Sequence, residues 1–185
     1  QYVLHITKRC NFTCGYCSSS KVDEDMQDAT AFRIADVALE NALEKGEAST
    51  CISFYGGEPL LRKELICYIV DYCESISAGT GVDFHYRMTT NASLLDDDFI
   101  CFAQAHDIKL ALSVDGVRQV HDVHRRFADG RPSFDEIFPK CMATLASMPA
   151  TPAMLTINPD TVDMLFSSVK FLHEVGFSTI STTPN

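Results

Sequence analysis

No stretch of this sequence is apolar for long enough to cross a bilayer, and none has the make-up of a secretory signal. The expectation is a cytoplasmic protein with no membrane partner. Basic residues are in short supply: 15 Lys and Arg stand against 25 Asp and Glu, a net charge of −10. A nucleic-acid binder needs a basic footprint, so no nucleic acid is expected as a partner. The acidic balance itself favours solubility and carries no further functional weight. There is no internal repeat, no low-complexity run and no linker, and 185 residues suffice for one domain with a substantial core. The chain begins at Gln1 and finishes in a turn-like stretch, 181–185, with no closing helix. One domain over 1–185, a fragment of a longer protein, is therefore expected.

Cysteine, by contrast, is abundant, at eight residues. Cys51, Cys67, Cys73, Cys101 and Cys141 are scattered among apolar neighbours and read as core thiols, since free cysteine is among the most buried residue types. A cytosolic setting disfavours disulfides. Cys10, Cys14 and Cys17 are clustered in C-x-x-x-C-x-x-C. A four-iron cluster usually takes four cysteines; three leave one iron without a protein ligand, open to an exogenous one. A zinc site lacking its fourth ligand and a set of reactive thiols are the alternatives. No second C-x-x-C pair exists, and His5, near in sequence, falls on an expected strand. His85, His106 and His173 read as structural or surface residues.

The rest of the chain alternates strand and helix. Strands are expected at 2–7, 50–55, 82–89, 108–114, 153–158 and 177–181. Helical stripes fall over 30–45, on Leu61, Leu65, Ile69 and Tyr72, over 95–105, on Phe134, Ile137, Phe138, Cys141 and Leu145, and on Val162, Leu165, Phe166, Val169 and Leu172. A polar connection over 117–132 reads as loop. Six strands separated by five helices imply repeated βαβ units and a parallel sheet. Such sheets place their sites at the carboxyl ends of the strands. The cysteine loop, Gly56-Gly57-Glu58, Thr90-Asn91, Ser113 and Asp115, and Asn158 all fall at such ends.

The three-cysteine loop after a first strand, with Tyr16 before the last cysteine, resembles the radical S-adenosylmethionine (SAM) superfamily, and the resemblance covers nearly the whole chain. Tyr55-Gly56-Gly57-Glu58-Pro59 resembles its Gly-Gly-Glu motif, Met88 to Asn91 its Thr-Asn segment, and Leu112 to Gly116 its strand-four segment. His121-Asp122-Val123-His124-Arg125, with Gly130 and Ser133-Phe134, resembles a pattern of the peptide-maturing, SPASM-type subgroup. The resemblance implies a partial (β/α)6 TIM-like barrel with parallel strands. It implies a [4Fe-4S] cluster on Cys10, Cys14 and Cys17, and SAM held by Tyr16, Gly56, Gly57, Glu58, Asn91, Ser113 and Arg125, with Arg126 as the alternative to Arg125. Asp115 is open between a ribose contact and a strand cap, and Asn158 is similarly open. The implied activity is reductive cleavage of SAM to a 5′-deoxyadenosyl radical that abstracts hydrogen, fed by an external one-electron reductant of flavodoxin or ferredoxin type. The implied substrate is a peptide or protein side chain. A small molecule or cofactor precursor is the alternative, and a non-catalytic iron–sulfur electron carrier is the rival of another class. The cysteine-rich C-terminal domain that carries auxiliary clusters in that subgroup is absent from this sequence.

Overall fold

The computed structural model describes residues 1–185. Six strands, β1 (Tyr2–Thr7), β2 (Ser49–Gly56), β3 (Asp83–Thr90), β4 (Ile108–Ser113), β5 (Ala153–Ile157) and β6 (Ile180–Pro184), form one sheet in sequence order. Every neighbouring pair is parallel. The crossovers are α1 (Asp28–Lys45), α2 (Lys63–Ser77), α3 (Asp97–Ala105), α5 (Phe134–Ser147) and α6 (Leu165–Glu174), with a short extra helix, α4 (Arg118–His124), after β4. β1 and β6 are the two edges of the ladder, giving the α/β partial barrel that the motifs imply.

Alternation along the strands explains why the sheet has one dry face. Leu4, Ile6, Ile52, Phe54, Tyr86, Met88, Leu110 and Leu112 are all buried, and they share a core with Leu65, Ile66 and Ile69 of α2 and Phe99 and Ala103 of α3. Burial of each large apolar side chain contributes about 1.5–3 kcal/mol. The intervening residues point to the concave side, where Val3 and Tyr55 stay about half exposed (53% and 49%). That side is free for ligands, unlike the packed interior of a complete barrel.

Three expectations need correction. The connection 117–132 is not all loop, because α4 occupies its first half. The helix has seven residues, and of these only Val120 and His121 are buried, so it leaves no apolar stripe to read. The last strand is Ile180–Pro184 rather than 177–181. Phe177 is buried, but its N–H closes α6 on the Leu172 carbonyl, so the chain pairs with β5 only three residues later. Cys101 is exposed, on the outer side of α3; Cys73 and Cys141 are buried, and Cys51 and Cys67 are half-buried.

Candidate active site

A cleft of about 560 Å³ opens at the carboxyl ends of the strands. It is lined by Cys10, Cys14, Tyr16, Cys17, Gly56, Gly57, Glu58, Asn91, Ser113 and Arg125, which are 115 residues apart in sequence at the extremes. Arg126 does not line it and instead donates to the Gly130 carbonyl at 3.1 Å. Asp115 and Asn158 are set back from the opening. Both are buried and border a small recess beside Thr161 and Ser168, because β5 ends at Ile157 and the chain turns away before Asn158.

The cysteine loop is built as one strand of a local antiparallel pair with the segment after α4. Phe12 pairs with Phe127, their rings edge to face at 4.8 Å. Thr13 N–H donates to Arg126 O at 2.8 Å, Gly15 N–H to His124 O at 3.2 Å, and Ala128 N–H to Asn11 O at 2.8 Å. The polar connection that reads as solvated loop is thus the backing of the cluster loop.

No three His, Cys, Asp or Glu side chains stand where they could hold one metal ion. No fourth cysteine reaches the cleft, and the three that do surround a common opening. That donor set fits a multi-iron cluster with one open position. Burial pushes the Cys10 and Cys14 thiols up; the Phe12 N–H at 3.4 Å pulls against it at Cys10, and the charges of Arg125 and Lys21 do so at Cys14. Cys10, Cys14 and Cys17 would hold a cluster as thiolates, so its loading would release protons. Asn91 Nδ2 lies 3.9 Å from Cys10 Sγ and donates to Asn11 Oδ1 at 2.9 Å, which fixes the amide against the loop.

On the β1–β3 side, two glycines permit a backbone approach no other residue could make. A Cβ on Gly56, whose φ is +144°, would meet the Thr7 carbonyl oxygen at 2.2 Å, and one on Gly57 would meet that of Arg9 at 2.1 Å. The close approach allows Gly57 N–H to donate to Thr7 O and Glu58 N–H to Arg9 O, both at 2.9 Å, so the Gly-Gly-Glu turn is clamped to the start of the cysteine loop. The Glu58 carboxylate is fully buried and has no cation beside it. It accepts from Leu60 N–H at 3.1 Å, Thr90 Oγ1 at 2.7 Å and Asn91 N–H at 2.8 Å. Burial raises its pKa, and these three donors oppose the rise. The Glu58 side chain, expected among the groups that hold SAM, thus also joins the end of β2 to the end of β3.

On the β4–β5 side the hub is Asp115, 1% exposed. Arg125 Nε and Nη2 donate to its two oxygens at 2.8 and 3.0 Å, Tyr16 Oη donates at 2.7 Å and Thr156 N–H at 2.8 Å. The carboxylate accepts the Thr156 N–H just where β4 has ended, so a side chain continues the ladder. Burial would raise the Asp115 pKa, but the Arg125 charge and the four hydrogen bonds hold it below the usual carboxylate range. Arg125 is itself buried; desolvation would lower its pKa, and the Asp115 charge outweighs this and raises it. Its Nη1 donates to no protein acceptor among these bonds, and the guanidinium borders the cleft.

Behind Arg125 sits His121, fully buried, its pKa lowered to about 3 by desolvation and by the neighbouring Arg125 charge. It is neutral, accepts the Asp115 N–H on Nδ1 at 3.3 Å, and faces Ser133 Oγ with Nε2 at 3.0 Å. Ser133 Oγ donates to the Arg125 carbonyl at 2.6 Å. Thr156 and Lys21 line the cleft although no sequence motif marks them. Strand alternation could have found Thr156, which shares a face with Met154.

The sequence pattern of the Radical SAM superfamily matches residues 4–172. Among curated proteins, the chain is similar to an uncharacterized protein of Methanocaldococcus jannaschii (35% identity over 71% of this chain and 43% of that protein). It is also similar to a cysteine-type anaerobic sulfatase-maturating enzyme of Clostridium novyi (22%, 71% and 36%) and to a GTP 3′,8-cyclase of Xanthomonas campestris (29%, 72% and 38%). The chain thus spans less than half the length of these relatives. Among solved structures, anSMEcpe with bound AdoMet superposes with a TM-score of 0.86 at 18% identity, covering 99% of this chain and 50% of that one. SuiB of Streptococcus suis bound to the precursor peptide SuiA superposes at 0.72 and 19% identity, covering 99% and 38%. With nearly all of the chain matched, the protein belongs to the Radical SAM superfamily, whose enzymes work with a [4Fe-4S] cluster and S-adenosylmethionine.

Proposed function

We propose that this chain is the catalytic core of a radical SAM enzyme that modifies a peptide or protein side chain, with Cys10, Cys14 and Cys17 holding the cluster and Arg125, Ser113, Asn91 and the Gly56-Gly57 backbone holding SAM. The observation that carries it is the convergence of the three cysteines and Arg125 on one cleft. When bound, the cluster supplies the electron for reductive cleavage of SAM, and the adenosyl fragment supplies the hydrogen-abstracting radical. The chain's own residues bind and orient. Arg125, fixed by Asp115 and always charged, offers its remaining N–H groups to a carboxylate at the cleft wall. Tyr16, tied to Asp115 and 5.3 Å from the Arg125 guanidinium, locks the loop between Cys14 and Cys17 to the same anchor. Gly56 and Gly57 leave room for a close approach to backbone groups. An electron carrier needs no such carboxylate clamp.

The peptide-maturing pattern at His121, Arg125 and Ser133 favours a peptide or protein substrate, and the SuiB likeness supports a fold able to serve one. A small-molecule substrate is the second reading, favoured by the higher identity to the GTP 3′,8-cyclase than to the sulfatase-maturating enzyme. The test is anaerobic reconstitution with iron and sulfide, followed by dithionite and SAM. The proposal expects 5′-deoxyadenosine from the chain and none from Cys14→Ala; equal yields from both would overturn it.

A further inference from the structure

The concave face of the sheet carries a second cavity, about 380 Å³, formed by β1, β2 and β3. It shares Tyr55 and Thr89 with the larger cleft, so the two are continuous. Its wall is set by strand register: Val3 lies opposite Ser53, and Ser53 opposite Arg87. His5 and Tyr55 meet edge to face at 5.4 Å one step nearer the cleft. The surface therefore combines an apolar and aromatic strip with one guanidinium.

That guanidinium is unusual in this molecule. Arg87 has neither an ion pair nor a hydrogen bond. Every other arginine has at least one: Arg9, Arg33, Arg62, Arg118, Arg125, Arg126 and Arg131. No residue lining the cavity is acidic, in a chain with 25 acidic residues. The neighbouring cation across the ladder, Lys109, is paired with Asp107. The face thus presents a single uncompensated planar fork, which matches one carboxylate in geometry and charge. A polyphosphate would need several cations, and the cavity holds only one arginine and no lysine.

We infer that this cavity is the substrate site, and that Arg87 pairs with a carboxylate of a peptide substrate while the chain of that peptide runs past Tyr55 toward the cofactor cleft. The inference rests on the assignment of the larger cleft to SAM. It narrows the substrate class to peptides with an acidic group near the modified residue.

The test can be run on the chain without iron or SAM, so its failure is separable from failure of the cleavage assay. N-acetyl-glutamate amide, its glutamine counterpart and tripolyphosphate are titrated while the guanidinium Nε–H resonances are followed by NMR. The expected result is saturable binding of the glutamate probe that shifts Arg87 and is absent for the glutamine probe. Arg87→Gln should weaken it about two- to five-fold, the scale of a solvent-exposed ion pair, with partial rescue in Arg87→Lys. Arg87 has no protein partner, so neither substitution disturbs the fold. Equal binding or no binding of the two amino-acid probes would overturn the inference. Tighter, Arg87-dependent binding of tripolyphosphate would overturn the peptide assignment in favour of a phosphate-bearing small molecule.

Discussion

The two walls of the cleft each rest on one buried carboxylate, and the two are held in opposite ways. Glu58 on the β1–β3 wall is met only by neutral donors, so burial dominates and its pKa is raised. Asp115 on the β4–β5 wall is met by Arg125 as well as by neutral donors, and its pKa is lowered despite burial. The difference follows from what each wall must do. On the proposed assignment the first wall offers backbone to SAM, and a carboxylate with no cation braces Leu60, Thr90 and Asn91 through neutral donors alone. The second must present a fixed cation to the cleft, which requires a buried counter-charge to hold it.

The largest effect expected is on the loop between the walls. Cys14→Ala, and equally Cys10→Ala or Cys17→Ala, should abolish both the cluster absorbance after reconstitution and 5′-deoxyadenosine formation.

Next comes the charged wall. Arg125→Ala leaves Asp115 buried and unpaired, and truncating one partner of such a pair costs about 3–5 kcal/mol. Chemical denaturation should report a loss of that size, and isothermal titration a loss of SAM affinity. On the opposite wall, Gly57→Ala places a methyl against the Arg9 carbonyl, so the turn must move. This should weaken SAM binding while costing about 1–3 kcal/mol of stability, the scale of local backbone strain.

The pH dependence sharpens the contrast. Because Asp115 is held below its ordinary value, its stabilising contribution is present above the ordinary carboxylate range and fades as pH falls through the lowered value. Glu58 is held above its ordinary value, so its contribution is present below that range and fades as pH rises through the raised one. The stability deficit of Asp115→Asn should therefore shrink on acidification, and that of Glu58→Gln on alkalinisation. Denaturant midpoints between about pH 3 and pH 8 would show opposite slopes; parallel slopes would remove the distinction between the walls. A smaller loss than at Arg125 is expected from Tyr16→Phe, which removes one hydrogen bond to the charged Asp115, about 1.5–3 kcal/mol.

Much of this was legible in the sequence, and the reasons are physical. The first five strands announce themselves through apolar positions at period two or in short runs, while the three-cysteine spacing leaves a cluster, a zinc site and reactive thiols open until the family resemblance is added. Placement at strand ends puts Gly56, Asn91 and Ser113 on one rim, whereas Arg125, in a connection that reads as loop, joins them only through the family resemblance. Helix α4 was hidden because it buries only Val120 and His121. The roles of Glu58 and Asp115 were hidden for a different reason. A carboxylate in a sequence does not show which donors it engages, and the bonds from Thr90, Asn91, Arg125 and Thr156 show that each also braces its wall. The pairing of residues 124–128 with the cysteine loop joins segments 109 to 117 positions apart by backbone hydrogen bonds, which no side-chain pattern encodes.

The most direct test of the account is electron paramagnetic resonance of the reconstituted, dithionite-reduced chain, recorded with and without SAM. If the three cysteines leave one iron open and Arg125 and the Gly56-Gly57 turn hold SAM beside it, adding SAM will shift the reduced-cluster signal in the wild type and leave it unshifted in Arg125→Ala. A cluster signal that forms normally and does not respond to SAM in the wild type would contradict the account.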